Sequence, residues 1–373
     1  MSKGRRLLIG LLPTLFLFLL GEVAARIVYT VHNHGDLRYL IAPLGGVRAP
    51  VIFPLEPKKT YTEMDPCSGR SITFTINRQG GRGSDWEETK PIGVIRVVAI
   101  GGSSTFGVSN PDEATWPAYL GSLLGQRYGT GIEVFNAGFP GYALKDFSEF
   151  VVKKLPAYSP DWVLYYEGWN DTDSPVATQV HHQVRRIQDQ TWFGGISNLL
   201  YRRSMLYTYL LEKTQFVRVS RKSGLLPPIR SFENGLEEFT RQIRRDRATP
   251  VFVLQVLEPY RSVAVLHLQQ ALENADLDNS LELEALIRRA LAQDPRNDYD
   301  SLTKLRVYQT QVLREIVRRT GQRLHVPVVD PQPVFLDRAG KIPLFCDVVH
   351  LTDHGNQLLA QVIADQIRFK TNS

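Results

Sequence analysis

From Val94 onward, short apolar runs alternate with longer stretches in which apolar residues recur every three or four positions. Val94-Ile95-Arg96-Val97-Val98-Ala99-Ile100 is rich in β-branched residues and stops at Gly101-Gly102. That is the pattern of a buried strand. Comparable runs follow at Ile132 to Phe135, Trp162 to Tyr166, Val251 to Leu254 and Val326 to Val329. Trp116 to Tyr128, Phe147 to Leu155, Leu236 to Arg247 and Leu302 to Arg319 carry the helical period instead. Strands alternating with helices predict an α/β fold, a parallel sheet with helices on both faces. In such sheets reactive groups collect beyond the carboxyl ends of the strands.

Other stretches break the alternation. Residues 30 to 70 carry Pro43, Pro50, Pro54, Pro57 and Pro66 and read as an irregular stalk, followed by a short strand over Ser71 to Asn77. Residues 172 to 230 form a basic, aromatic insertion, with Arg185, Arg186, Arg202, Arg203, Arg218, Arg221 and Lys222 among Trp192, Phe193, Tyr201, Tyr207 and Tyr209. Residues 262 to 299 read as a second insertion of two helices. Ala290 to Pro295 resembles the end of a tetratricopeptide unit, but one copy cannot build a solenoid.

At the N-terminus, Lys3, Arg5 and Arg6 precede an apolar run from Leu7 to Leu20. A basic region followed by such a run reads as an export signal. Its length lies between a signal-peptide core and a membrane span. Two outcomes stay open, an uncleaved anchor helix and a signal peptide removed near Ala25. Both place everything after Tyr29 outside the cytoplasm. The expected organisation is 1–29 signal or anchor, 30–93 stalk and β extension, and 94–370 catalytic domain.

Composition changes this picture little. The chain has 373 residues, 43% hydrophobic and 22% charged, which is ordinary for a globular protein. A net charge of +6 favours anionic surfaces mildly, and no basic block is dense enough to indicate nucleic acid. Cys67 and Cys346 are the two cysteines, free to pair or to stay separate thiols. No Cys/His spacing resembles a metal site, and no cofactor is expected.

The chemistry gathers where strands end. Gly101-Gly102-Ser103-Ser104-Thr105 follows the first strand, Asn136-Ala137-Gly138-Phe139-Pro140-Gly141 the second, and Gly168-Trp169-Asn170-Asp171 the third. Near the C-terminus stands Asp347-Val348-Val349-His350, with Leu351-Thr352 opening the last helix. A serine hydroxyl needs an imidazole to accept its proton, and a carboxylate to hold the ring. The tetrahedral intermediate needs donors aimed at its oxyanion. Ser103, His350 and Asp347 meet the first two needs. The N–H groups of Ser103 and Gly141 and the Asn170 amide meet the third.

In this order and spacing the four blocks resemble the SGNH (GDSL-type) hydrolases, over about residues 94 to 368. The resemblance implies a three-layer sandwich around a five-strand parallel sheet. It also implies Ser103 as nucleophile, Gly141 and Asn170 as oxyanion donors, and Asp347 and His350 as the rest of the triad. Gly102 departs from the family, many of whose members carry Asp there. Plainer roles fit the neighbours: Ser104 as a loop hydrogen-bonder, His354 inside the first turn of a helix, and Glu167 and Asp171 as loop anchors. Gly138 and Asn136 fit turn residues, and His181, His182 and His267 exposed positions.

The expected function is that of an exported esterase acting on O-acyl groups, with an envelope or extracellular polysaccharide as candidate substrate. An O-acyltransferase on the same scaffold, a lipase, and a non-catalytic carbohydrate-binding or assembly factor are the alternatives. The expected partners are an acylated ester and, through the N-terminal helix, a membrane.

Overall fold

The computed structural model describes residue 13 and residues 16–27, 56–65, 67–129, 131–172, 194–220, 224–295, 301–338, 340 and 342–368. They fall into two compact units, one of Met1–Ile52, Pro175–Gly224 and Arg296–Thr303, the other of the remaining chain.

In the larger unit, β1 (Lys59–Met64) and β2 (Ser71–Ile76) form an antiparallel hairpin. β1 replaces part of the irregular stalk expected up to residue 70. The five-strand sheet comprises β3 (Ile95–Gly101), β4 (Ile132–Gly138), β5 (Trp162–Tyr166), β6 (Thr249–Val253) and β7 (Val328–Val329). Its order is β4-β3-β5-β6-β7, every pair parallel. Every residue of β3 is buried, as a central strand covered on both faces requires. Ile95, Val97 and Ala99 pack with Trp116, Leu120 and Leu124 of α2 and with Leu359 and Ile363 of the last helix, α10. Here α1 is Ser103–Phe106, α2 Trp116–Tyr128 and α10 Asp353–Gln366. On the sheet's other face, Tyr165 packs against Phe239, 5.3 Å between ring centres. Phe239 lies on α5 (Ile229–Arg245).

Arg96 and Arg82 lie inside this unit. Arg96, the second residue of β3, pairs with Glu133 at 2.8 Å and donates to the Tyr158 carbonyl at 2.5 Å. Arg82 sits between the Phe74 and Phe106 rings and pairs with Asp112 at 2.8 Å. It also donates to the carbonyls of Phe106 and Gly107, at 2.9 and 2.7 Å, tying the residues after β2 to the end of α1.

The helical stretch expected over Phe147 to Leu155 is present but irregular, with tight 3₁₀ turns over Leu144–Phe147 and Leu155–Tyr158 and a wider π turn over Phe150–Lys154 between them. Pro156 has no N–H to give to a carbonyl one turn back, and the wide turn ends two residues before it. Two helices, α6 (Val263–Asn274) and α7 (Ser280–Gln293), occupy the expected second insertion. α8 (Ser301–Arg323) and the short α9 (Gln332–Arg338) flank β7 in sequence.

The smaller unit holds a helix over residues 16–27, with α3 (Gly194–Arg203) and α4 (Met205–Ser220). Glu22 and Arg26 of the first helix are half-buried, while Lys213 and Arg218 of α4 are exposed. Glu22 pairs with Arg26 at 2.7 Å and accepts from the Ser204 hydroxyl at 2.7 Å and the Leu206 N–H at 3.1 Å. Phe16, Leu17, Leu19, Leu20, Val23 and Ile27 face outward. Among the described residues no helix is long and apolar enough to cross a membrane. Most of the apolar run from Leu7 to Leu15 lies outside the described residues. So do Arg185, Arg186, His181, His182, Trp192, Phe193, Arg221 and Lys222 of the basic insertion.

Candidate active site

Strand register brings the motifs together. Gly101 of β3 is level with Gly138 of β4 and with Tyr166 of β5. The three strands therefore end at one height, and the residues that follow them crowd the same edge. Ser103 leaves β3 after two residues and opens α1. Phe139-Pro140-Gly141-Tyr142 forms a turn closed by the Tyr142 N–H on the Phe139 carbonyl at 3.1 Å. Gly141 takes φ of 80°, the left-handed conformation that the third position of such a turn requires. Asn170 follows β5, its side-chain amide donating to the Tyr142 carbonyl at 3.0 Å. The amide has a second N–H beyond the one used there.

His350 arrives from the opposite end of the chain. Its Nε2 lies 2.8 Å from Ser103 Oγ, and its Nδ1 lies 2.6 Å from Asp347 Oδ2. The other oxygen, Asp347 Oδ1, accepts from the N–H groups of Val349 and His350 at 2.9 and 2.8 Å. One carboxylate thus folds its own loop and aims the ring. Several contacts hold that loop. Cys346 donates its N–H to the His350 carbonyl at 2.8 Å and is joined to Cys67 by a disulfide, Cα to Cα 5.2 Å. The Val348 carbonyl accepts from Glu258 N–H at 2.9 Å, and the Val349 carbonyl from the Ser104 hydroxyl at 3.0 Å. Thr352 then caps α10, accepting from Gly355 N–H, which leaves His354 in the helix's first turn.

Electrostatics suit proton transfer. Desolvation would lower the His350 pKa, but the Asp347 charge and hydrogen bond outweigh it and leave the imidazole raised above its ordinary 6.5. At Asp347 desolvation acts upward, and the His350 charge with the three hydrogen bonds overrides it, so the carboxyl stays below its ordinary value. His350 is therefore poised to take a proton from Ser103 while Asp347 stays ionised. Among the described residues one cluster has the spacing of metal ligands, Asp65 with Cys67 and Cys346, and both its sulfurs are in the disulfide.

Ser104 is separated from this relay. It is buried, bonded to the Val349 carbonyl and approached by Gln255 Nε2 at 3.4 Å. Gln255 carried no signal in the sequence, yet its Oε1 accepts from Trp169 N–H at 2.7 Å, fixing the turn that carries Asn170. Arg306 supports the same turn. Its guanidinium lies 4.1 Å from the Trp169 ring centre and donates to the Trp169 carbonyl at 2.9 Å.

Asp171 anchors the turn before Phe147, accepting from Leu144 N–H at 2.9 Å and from the Tyr165 hydroxyl at 3.2 Å. Burial, with the neighbouring Glu167 charge, pushes its pKa from 3.8 up to about 8. The folded state thus holds this proton more tightly than the unfolded chain. Stability from this group is present at acid pH and is lost as pH climbs from 3.8 through about 8. Asp171→Asn removes that loss, so its melting temperature should exceed the parent's on the alkaline side of the range and match it on the acid side. A difference independent of pH in melting curves would refute the buried proton.

A parallel α/β sheet with a Ser–His–Asp relay at its carboxyl edge has the arrangement of a serine hydrolase. The sequence matches the model of the GDSL-like lipase/acylhydrolase family over residues 99–358, and the chain belongs to that family. It is an ester hydrolase. Solved structures similar to it include a lipolytic protein of the G-D-S-L family from Desulfitobacterium hafniense, at 18% identity, TM-score 0.39, covering 73% of this chain and 99% of that one. A catalytic mutant of an acetylxylan esterase from Geobacillus stearothermophilus matches at 17% identity, TM-score 0.41, covering 76% and 98%. A lipase/acylhydrolase from Enterococcus faecalis matches at 15% identity, TM-score 0.43, covering 75% and 100%. No curated protein matches the sequence.

Proposed function

We propose that the chain is an exported esterase that removes O-acyl groups from an envelope or extracellular glycan. In this reading Ser103 is the nucleophile, His350 the general base and Asp347 the orienting carboxylate. The backbone N–H groups of Ser103 and Gly141 and the Asn170 amide are the oxyanion donors. The observation that carries it is the unbroken relay from Asp347 through His350 to Ser103 Oγ. Ser103 Oγ attacks the ester carbonyl carbon as its proton moves to His350 Nε2. The tetrahedral oxyanion collapses, and His350 returns the proton to the departing sugar oxygen. Water, deprotonated by the same imidazole, then releases the acid and restores Ser103.

Export is supported by the Cys67–Cys346 disulfide, a bond that persists in oxidising compartments. It is supported too by the helix over residues 16–27, which pairs Glu22 with Arg26 and exposes Phe16, Leu17, Leu19, Leu20, Val23 and Ile27. For a glycan the support is Tyr142, exposed beside Gly141, whose ring offers a face on which a sugar can stack.

The test compares acetate release from an acetylated polysaccharide with release from short- and long-chain lipid esters, the active sites being counted by fluorophosphonate labelling of a separate sample. Preferred acetate release from the polysaccharide is expected. Preference for long chains with the glycan untouched would make the protein a lipase, and transfer to added oligosaccharide outpacing free acetate would make it an acyltransferase. A reporter fused after Ser373 should be active only in a form that matures outside the cytoplasm, and activity inside would refute export.

A further inference from the structure

Glu167 is a buried carboxylate to which the reaction above gives no part. It is the first residue after β5, 3% exposed, and its side chain turns back beneath the nucleophile loop. Oε2 accepts from the N–H of Gly102 at 2.8 Å. Oε1 accepts from the N–H groups of Gly168 and Asn170, both at 3.0 Å. One carboxylate thus joins the residue preceding Ser103 to the backbone of Asn170.

The space it fills exists because residue 102 has no side chain. A Cβ on Gly102 would overlap Glu167 Oε2, lie 3.1 Å from its Cδ and lie 2.5 Å from Asn170 Nδ2. Glycine at 102 and glutamate at 167 therefore require each other. Neither neighbour of the carboxylate can yield easily, since Gly102 leads directly into α1 and Asn170 opens the turn held by Gln255 and Arg306.

We propose that Glu167 is the positioning residue that sets the Ser103 hydroxyl and the Asn170 amide at their working separation, with Gly102 present to admit its carboxylate. The proposal rests on the reading of Ser103 and Asn170 as nucleophile and oxyanion donor. Glu167 touches no reacting atom and acts through the two backbone segments it fastens. Burial raises its pKa, and the three backbone N–H donors oppose that rise. Because an oxyanion donor acts on the transition state more than on bound substrate, loosening the strut should appear in kcat rather than KM.

Glu167→Gln preserves shape while turning an N–H₂ toward one of the three N–H donors. A displacement of about 1 Å at a reacting group costs as much as 10²-fold, so kcat on a small activated acetate ester should fall about 10–100-fold. KM should stay within about twofold of the parent, because the groups that bind substrate without reacting with it are left in place. Gly102→Ala, whose Cβ would meet both Glu167 Oε2 and Asn170 Nδ2, should likewise lower kcat and leave KM within about twofold. Rates are taken per mole of protein shown to be folded by its melting curve, and Ser103→Ala is run alongside. Parental kcat in Glu167→Gln, or a loss confined to KM, would overturn the strut. If Ser103→Ala itself kept activity, the nucleophile assignment would fail instead, and the two failures are distinguished by that control.

Discussion

Replacing Ser103 with Ala is expected to remove hydrolysis of a small activated acetate ester almost completely, with a fall in kcat on the order of 10⁶. His350→Ala should lose about as much. Combining the two should cost little beyond either alone, because a nucleophile without its base, or a base without its nucleophile, is already idle. The geometry behind this is a single hydrogen bond of 2.8 Å joining the two side chains. Ser104→Ala is the matched control. Its hydroxyl faces the Val349 carbonyl and Gln255, not the imidazole, so the change removes two buried hydrogen bonds, worth about 1 kcal/mol each, and leaves most activity. Steady-state rates on folded protein decide the matter. Equal losses in Ser103→Ala and Ser104→Ala would overturn the assignment, as would a double variant far worse than both singles.

Asp347→Asn should reduce kcat by about 10³–10⁴-fold, less than His350→Ala, because the ring remains but loses the acceptor that fixes its tautomer and steadies its charge. The direction of the pH effect follows from the same contact. Asp347 raises the His350 pKa, and His350 works as a base only when neutral. In the parent enzyme kcat/KM should therefore fall as pH drops through a value above 6.5. Removing the carboxylate lowers that pKa, so the acid limb of the variant's profile should move to lower pH even as its plateau falls. A limb that stayed in place would mean that a group other than His350 governs it.

The parts of this molecule that could be read from its sequence are those in which neighbours along the chain determine the outcome. The Val94 to Ile100 run could hardly be anything but a strand buried on both faces, and the glycines after it marked the turn into Ser103. Thr352 ahead of the last helix showed where that helix begins. What was not legible depends on partners distant in sequence. β1 alternates in a region dense with proline, and Tyr61 and Glu63 mark it as a strand only once β2 lies beside it. Cys67 and Cys346 are separated by 279 positions, and nothing local distinguishes a pair from two thiols. Gln255 looks like any polar residue after a strand, and its role exists only because Trp169 and Ser104 lie on either side. Glu167 was legible as a loop anchor but not as the occupant of a space opened by Gly102, because that relation is one of volume.

The relay also constrains when the enzyme can first act. Ser103 enters near the beginning of the catalytic unit and His350 lies 247 positions later, on the loop leading into the final helix. A chain growing from its N-terminus exposes a finished nucleophile turn long before the base exists. On the proposed reading of Ser103 as nucleophile and His350 as base, it remains inert until residue 350 has been made and has folded against that turn. On the same reading, a product ending before residue 350 carries the serine and lacks the imidazole that would activate it.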